Sequence, residues 1–397
     1  MTDGEQSNIV THRVASVDLL RGTVMIIMAL DHVRDFIHRG AMNNSPTDLA
    51  TTTPILFMTR WITHICAPAF ALTAGLGAWF WWQKGRSRAE LSRFLASRGI
   101  WLMLLEVTVM RLGYYFNLSL EYPVFLLVFW SLGLSMVALA ALVWLPMRLL
   151  TVLSVVTMLF HPLLDGLDLS GWLWNVVHQV GAFQAGRVTV ITPYPLIPWV
   201  AVMAFGFSLG PLFRLDPVER RRRLVWLGSA AVVGFVVLRA INGWGDPVPW
   251  SSQQSPAFTA LSFLNTSKYP ASPSFLLMTL GPALLLLAAF DRAKSGRNSP
   301  ALIFGRVPLF YYMVHFFLAH VIATLLALAH YGSTALDFIF RPYPSLGGAA
   351  EAFPAGFGYS LGIAYLVWLL VLLVSYPLCR WYAGVKARRD DWWLKYL

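Results

Sequence analysis

Asp18, Arg21, Asp31 and His32 stand within a stretch, residues 16–32, whose other members are almost all apolar. At about 100° per residue on a helix, Asp18, Arg21, Met25 and His32 fall within an arc of roughly 60°. Asp31 lies about 100° round from His32 and is placed to meet Arg34 or Asp35 one turn on. His32 is about 21 Å from Asp18 along such a helix. One end therefore offers a charged pair that can hold an anion or orient the helix. The other offers an imidazole, which takes up and returns protons near neutral pH. The plainer alternative is a buried ion pair and a packed histidine.

Other apolar segments carry further candidates. Arg60 and His64 are spaced i,i+4, and their face continues into Ala67, Ala71 and Gly75, small residues that permit close helix contact. Tyr311, Tyr312, His315 and His320 share one segment. Ionisable groups at membrane depth are costly unless they pair or line a cavity. His64 and His315 read equally as helix locks or as site residues. Glu106, Arg111 and His320 read rather as structural partners. The histidines show none of the short spacings usual for zinc, so no metal is expected. Cys66 and Cys379 cannot form a disulfide scaffold or a thiolate cluster.

The elements that must position these groups follow from composition. The chain has 397 residues, 57% hydrophobic and 12% charged, with mean hydropathy +0.61. A soluble domain carries about 25% charged residues, so an ordinary soluble enzyme is excluded, as is a disordered chain. The fold class expected is all-α, a polytopic membrane bundle of about ten helices. The spans fall at 16–38, 54–82, 99–118, 122–145, 148–163, 195–213, 224–241, 273–290, 307–330 and 358–380. They form a single transmembrane domain over 13–380, between a polar stretch at 1–12 and a basic tail at 381–397. No cleavable leader is expected, because residues 1–15 are polar.

Lys and Arg alternate across these spans. Short connections hold Lys84, Arg86, Arg88, Arg93 and Arg98; Arg148; Arg214 and Arg220 to Arg223; Arg292, Lys294, Arg297 and Arg306; and Arg380, Lys386, Arg388, Arg389 and Lys395. With Arg13, these mark one side. The opposite side carries only Arg34, Arg39, Arg187, Lys268 and Arg341. The net charge of +11 is thus explained by cytoplasmic loops, with both termini inside, and not by nucleic acid. The outer loops, 40–53, 164–194, 242–272 and 331–357, carry Trp172, Trp174, Trp244, Trp250, Asp48, Asp165, Asp168 and Asp246. These read as an interfacial belt with solvated acids, or as a binding vestibule.

Several motifs go further. Arg13-x-x-Ser16-x-Asp18-x-x-Arg21-Gly22, with His32 after a hydrophobic stretch, resembles the opening of the heparan-α-glucosaminide N-acetyltransferase catalytic-domain family, in its bacterial branch. Arg60-Trp-Ile-Thr-His64-Ile-Cys-Ala-Pro68 through Gly75 resembles the family's second helix. Tyr194-Pro-Leu-Ile-Pro198-Trp199, Thr266-Ser-Lys268-Tyr269-Pro270 with Met278-Thr-Leu-Gly-Pro282, and Gly305-Arg306-Val-Pro308 through His315 resemble later ones. The Arg21 to His32 spacing is also similar to that of the related acyltransferase-3 family of envelope-glycan O-acylases, whose Arg and His belong to the proposed acyl-transfer site. The animal lysosomal enzyme of the first family has Asn where His32 stands, and places its His eleven residues later, where this chain has Asn43. The resemblance therefore assigns the base to His32 on the acyltransferase-3 pattern.

The resemblance implies an acyl-CoA-dependent transmembrane N- or O-acetyltransferase of the bacterial inner membrane. Acetyl-CoA would be the donor, and a sugar amine or hydroxyl of an extracytoplasmic glycan the acceptor. Asp31, His64 and His315 would join His32 in catalysis, with Asp18, Arg21, Arg98 and Arg306 on the donor and Arg60, Lys268 and Tyr311 on the acceptor. Membrane lipid is a further expected partner, and the reading allows a homodimer. A proton-coupled transporter or flippase is the rival reading. The sequence offers it neither an evident repeat nor Gly/Pro-broken helices in matching positions. A non-catalytic scaffold leaves Arg21, His32, Arg60 and His315 without a role.

Overall fold

A computed structural model describes residues 3–167, 169, 171–293, 296, 298–389 and 391–396, and the side chains of residues 3–14 and of Lys395 are not described. The expected Arg13, Lys395, Lys294, Arg297 and Asp168 contributions lie outside the described residues or side chains.

Every segment expected to span the membrane contains a helix. These are α1 (Asp3–Ile37), α2 (Pro54–Thr63), α3 (Cys66–Trp82), α4 (Arg88–Leu105), α5 (Arg111–Tyr115), α6 (Val128–Leu142) and α7 (Met147–Phe160). A short α8 (Trp172–Val177) precedes α9 (Leu196–Ser208), α10 (Pro217–Ile241), α11 (Pro256–Leu264), α12 (Pro273–Phe290), α13 (Pro300–Arg306), α14 (Pro308–Tyr331) and α15 (Leu361–Arg388). Among the described residues, seven helical stretches are long and apolar enough to cross a membrane. The segments outside that set are α1 and α4 to α5, which contain several charged residues, and α6, which has 15 residues. Apolar side chains on α7, α10 and α15, among them Val152, Trp226 and Leu373, face outward, as in a multi-pass membrane protein.

α1 is the hub. It packs against α2, α3, α12, α13, α14 and α15, with Leu20, Val24, Ala29 and Val33 fully enclosed. Two glycines bring α1 and α13 to backbone distance. A Cβ on Gly22 would strike the Ala301 carbonyl, and one on Gly305 the Asp18 carbonyl. Gly22→Ala is therefore expected to force the helices apart, at a cost of about 1–3 kcal/mol, read as a lower thermal midpoint in detergent. The small-residue face of α3 likewise serves close contact, Gly75 meeting the backbone of Met203 on α9.

Three expectations are refined. The span expected at 54–82 is present, with its helix interrupted by a turn at His64-Ile65, because the Pro68 ring cannot coexist with a helical carbonyl at position 64. The segment from 122 starts as a strand, β1 (Val124–Phe125), parallel to β3 (Val188–Thr192), which pairs antiparallel with β2 (Gly181–Ala185) across a turn at Gly186. The helix begins only at Val128, where Glu106 accepts from the backbone N–H of Phe129 at 2.8 Å and of Trp130 at 3.2 Å.

The third change concerns the basic connections, which are largely helix ends. Ser87 caps α4 in a reciprocal pair with Glu90, so Arg88, Arg93 and Arg98 are helical. Asp216 accepts from Val218 and Glu219 N–H, and Pro217 opens α10 upstream of Arg220 to Arg223. α15 runs on past 380 to Arg388. Long aliphatic stems let Arg and Lys extend helices to the membrane edge while their charges stay wet.

Candidate active site

α1 places Asp31, His32, Arg34 and Asp35 one turn below the outer loops. The break between α2 and α3 brings Arg60, Thr63, His64 and Cys66 to the same level, and α14 adds Tyr312 and Phe316. Together they line a cavity of about 760 Å³. Its mouth is formed by all four outer loops, through Ala41 to Thr47, Pro193 and Tyr194, Asn265 to Tyr269, and Pro344 to Gly347. A cavity thus opens among the loops read either as an interfacial belt or as a vestibule. Trp250, Asp165 and Asp48, expected to furnish it, are engaged elsewhere. The Trp250 indole donates to the Arg239 carbonyl at 2.6 Å, and Asp165 pairs with His178 at 2.6 Å. Asp48 folds its own loop by accepting from Ala50 N–H at 3.0 Å.

His32 heads a buried relay. His315 Nδ1 is 2.8 Å from the Tyr311 carbonyl, and His315 Nε2 is 2.8 Å from His32 Nδ1. A carbonyl only accepts, so His315 Nδ1 carries the proton. In neutral His315, Nε2 is then bare and accepts from His32 Nδ1–H. Neutral His32 keeps its lone pair on Nε2, which has no hydrogen-bond partner among the described residues and is not among the buried unpaired atoms. The ring is fixed by stacking on His315 and by edge contacts with Tyr312 and Phe316. An imidazole of fixed tautomer at a cavity wall can accept a proton from a bound hydroxyl or amine.

The charged groups beside it are matched. Asp31 bonds to Arg60 and lies 3.0 Å from Arg34, which also holds Asp35 at 2.6 Å. Asp31 meets Arg34 as its spacing predicts. Arg60, expected on the acceptor, lines the cavity and is held by a carboxylate from 29 residues upstream. His64 lines the cavity against Phe275, its Nδ1 buried and unpaired.

Lys268 and Tyr269 occupy a tight turn, with Ser272 N–H donating to the Ser267 carbonyl at 3.0 Å. Asp246 anchors the turn by accepting from Ser267 N–H at 2.9 Å and the Ser272 hydroxyl at 2.6 Å. The Tyr269 and Tyr194 hydroxyls are 3.3 Å apart. Burial would raise the Tyr269 phenol, but the Lys268 ammonium and Arg60 guanidinium leave it below the ordinary tyrosine range.

Of the expected site residues, Asp31, His32, Arg60, His64 and Lys268 are brought to this one cavity. His315 and Tyr311 stand behind its wall. Asp18, Arg21, Arg98 and Arg306 lie at the opposite end of α1. There Arg21 bonds to Asp18, which also feels Arg306 and Lys386, and Arg98 lies within range of Arg21 and Lys386. Glu106, Arg111 and His320 are structural. Glu106 takes the Tyr114 hydroxyl at 2.8 Å, Arg111 donates to the Ser119 and Tyr122 carbonyls, and His320 stacks between Phe36 and Phe116. Arg34, Asp35, Tyr194, Tyr269 and Tyr312 also line the cavity; the sequence reading named Tyr312 as a candidate, Arg34 and Asp35 as partners of Asp31, and Tyr194 and Tyr269 only within motifs. Tyr194 and Tyr269 each precede a proline in an outer loop, which could have flagged them.

A family model described as heparan-alpha-glucosaminide N-acetyltransferase, catalytic, matches residues 13–240, more than half of the chain. No curated protein matches it.

Proposed function

Because the chain belongs to this catalytic-domain family of transmembrane acetyltransferases, we propose that it moves an acetyl group from cytosolic acetyl-CoA to an amine or hydroxyl of an extracytoplasmic glycan. His32 Nε2 is the general base. The observation that carries this reading is the Tyr311–His315–His32 relay, which leaves a bare nitrogen at the wall of an outward cavity. His32 takes the acceptor proton as the acceptor attacks the thioester carbonyl; the C–S bond then breaks, and His32 returns the proton to the departing CoA thiolate. His315 is a positioning residue. The Arg60 guanidinium, held by Asp31, and the His64 imidazole face the same space, where an oxyanion would develop.

At the other end of α1, Arg21, Arg98 and Arg306 meet the CoA phosphates, with Asp18 orienting Arg21. The alternation of basic and cation-poor connections supports a bacterial inner-membrane protein with ten spans, both termini inside, and the cavity outside.

Proteoliposomes charged with labelled acetyl-CoA on one side and a glycan acceptor on the other test this reading. The label is expected on the acceptor, and no labelled product under any sidedness would sink it. The relay predicts a finer result. His315→Gln keeps an acceptor for His32 Nδ1–H and His315→Phe does not, so the Phe protein should lose about tenfold more in kcat. Similar KM in the two proteins would mark a positioning role.

One observation favours the transporter reading. The helical segment over 54–82 is interrupted by a turn at His64-Ile65, beside the cavity. Accumulation of unmodified glycan inside the same vesicles, without acetyl-CoA, would select it.

A further inference from the structure

The cavity charges do not cancel. Arg34 and Arg60 are answered by Asp31 and Asp35 in one linked set of ion pairs. His32 is neutral in the relay described. Lys268 remains. Among the described residues no carboxylate lies within 4.0 Å of its ammonium, and Asp246, the acid that anchors its turn, is engaged by Ser267 and Ser272. The ammonium instead sits over two aromatic faces, 5.1 Å from the Tyr269 ring centre and 5.5 Å from that of Tyr194. Those rings hold it at the cavity mouth without neutralising it. A half-buried cation with ring support and no carboxylate in contact attracts an anion, and of the paired Tyr194 and Tyr269 hydroxyls beside it one O–H remains to donate to the same group.

We propose that the acceptor presents a carboxylate or a phosphate to Lys268, next to the hydroxyl or amine that His32 deprotonates. The identity of the reacting group rests on the acetyltransferase reading above, whereas the anion subsite does not. Lys268 is then a specificity residue. Neutral sugars enter the cavity without forming the ion pair, and so bind more weakly and in less defined poses.

The test uses the full chain in nanodiscs of zwitterionic lipid, so that headgroup anions do not compete. Equilibrium binding is measured for methyl glucuronide, glucose 1-phosphate and neutral methyl glucoside, with no acetyl-CoA present. At least one anionic sugar should bind about tenfold tighter than the neutral one, in line with a hydrogen-bonded charged pair. Which of the two does so identifies carboxylate or phosphate as the partner. Lys268→Gln should erase the margin and Lys268→Arg should keep most of it. Equal binding of all three sugars to the wild-type chain overturns the proposal, as does a margin that survives Lys268→Gln. Displacement of the sugar by free CoA in direct competition at Lys268 overturns it too, because the cation would then serve the donor. A Lys268-dependent margin in a chain that transfers no acetyl group would retain the subsite and refute the acetyltransferase reading instead.

Discussion

Replacing His32 with alanine or glutamine is expected to lower acetyl transfer by about 10²- to 10⁴-fold, the range a positioned proton transfer supplies. The two substitutions separate chemistry from folding. Alanine leaves His315 Nε2 without its partner inside a buried relay, so some loss of thermal stability should accompany the loss of rate. Glutamine can still donate to that nitrogen but is no base, so its thermal midpoint should stay near that of the wild type while its rate falls as far. Acetyl-CoA binding should be intact in both, since the donor's charged end is about 16 Å away along α1. A folded His32→Gln protein that transfers acetyl groups at the wild-type rate would remove His32 from the chemistry. A direct acyl transfer and an acetyl-histidine intermediate both begin at Nε2. Trapping of labelled acetyl on the protein, in the absence of acceptor, tells them apart.

The largest stability effect is expected at Asp291→Ala. Asp291 follows α12 and receives Arg220 from α10 in a bidentate pair, with bonds of 2.9 Å and 2.8 Å from Nη2 and 3.1 Å from Nε. Both side chains are buried, at 2% and 1% exposure. Deleting the carboxylate strands a buried guanidinium, and breaking such a pair costs about 3–5 kcal/mol. Arg221, 3.8 Å from the same carboxylate, cannot replace it, being a cation itself. The thermal midpoint in detergent should fall by more than for any exposed substitution, and Glu219→Ala on the same helix, which breaks only surface pairs, should change it little. Replacing Arg220 and Asp291 together by apolar residues of similar volume should recover much of the loss. A double variant no better than Asp291→Ala would mean that the pair does more than satisfy its own charges.

The sequence revealed this molecule unevenly, for identifiable reasons. Apolar segments and the alternation of basic connections located helices in all ten expected segments, because hydrophobicity over twenty residues is a strong local signal. Helix ends were harder. Asp216-Pro217 and Ser87 with Glu90 are start signals, yet the Arg residues after them read as loop because charge masked the caps. Pro68 was visible, but its break four residues upstream needs the steric argument applied at His64.

Within the site, the spacing of Asp18, Arg21 and His32 on one helix face was legible, as was the meeting of Asp31 with Arg34. Contacts between distant segments were not. Nothing local in His32 and His315, 283 residues apart, says that their rings share a hydrogen bond. Nothing in Arg60 says that a carboxylate from α1 already holds it. Glu106 was rightly read as structural, although its role as the cap of α6 emerges only when the two helices are packed together.

Burial of α1 at the centre of the bundle makes it a ruler. A helix does not stretch, so the level of Arg21 and that of His32 are separated by about 16 Å whatever the bilayer does around them. On the proposed reading, a donor gripped by its phosphates at one mark must carry a linker of that length for its reactive carbon to arrive at the other. Selection among donors then falls to backbone geometry more than to the shape of any pocket. Close glycine contacts with α13 keep the scale from sliding. A single residue gained or lost between the two marks would shift the upper one by about 1.5 Å and swing it through about 100°, away from His315.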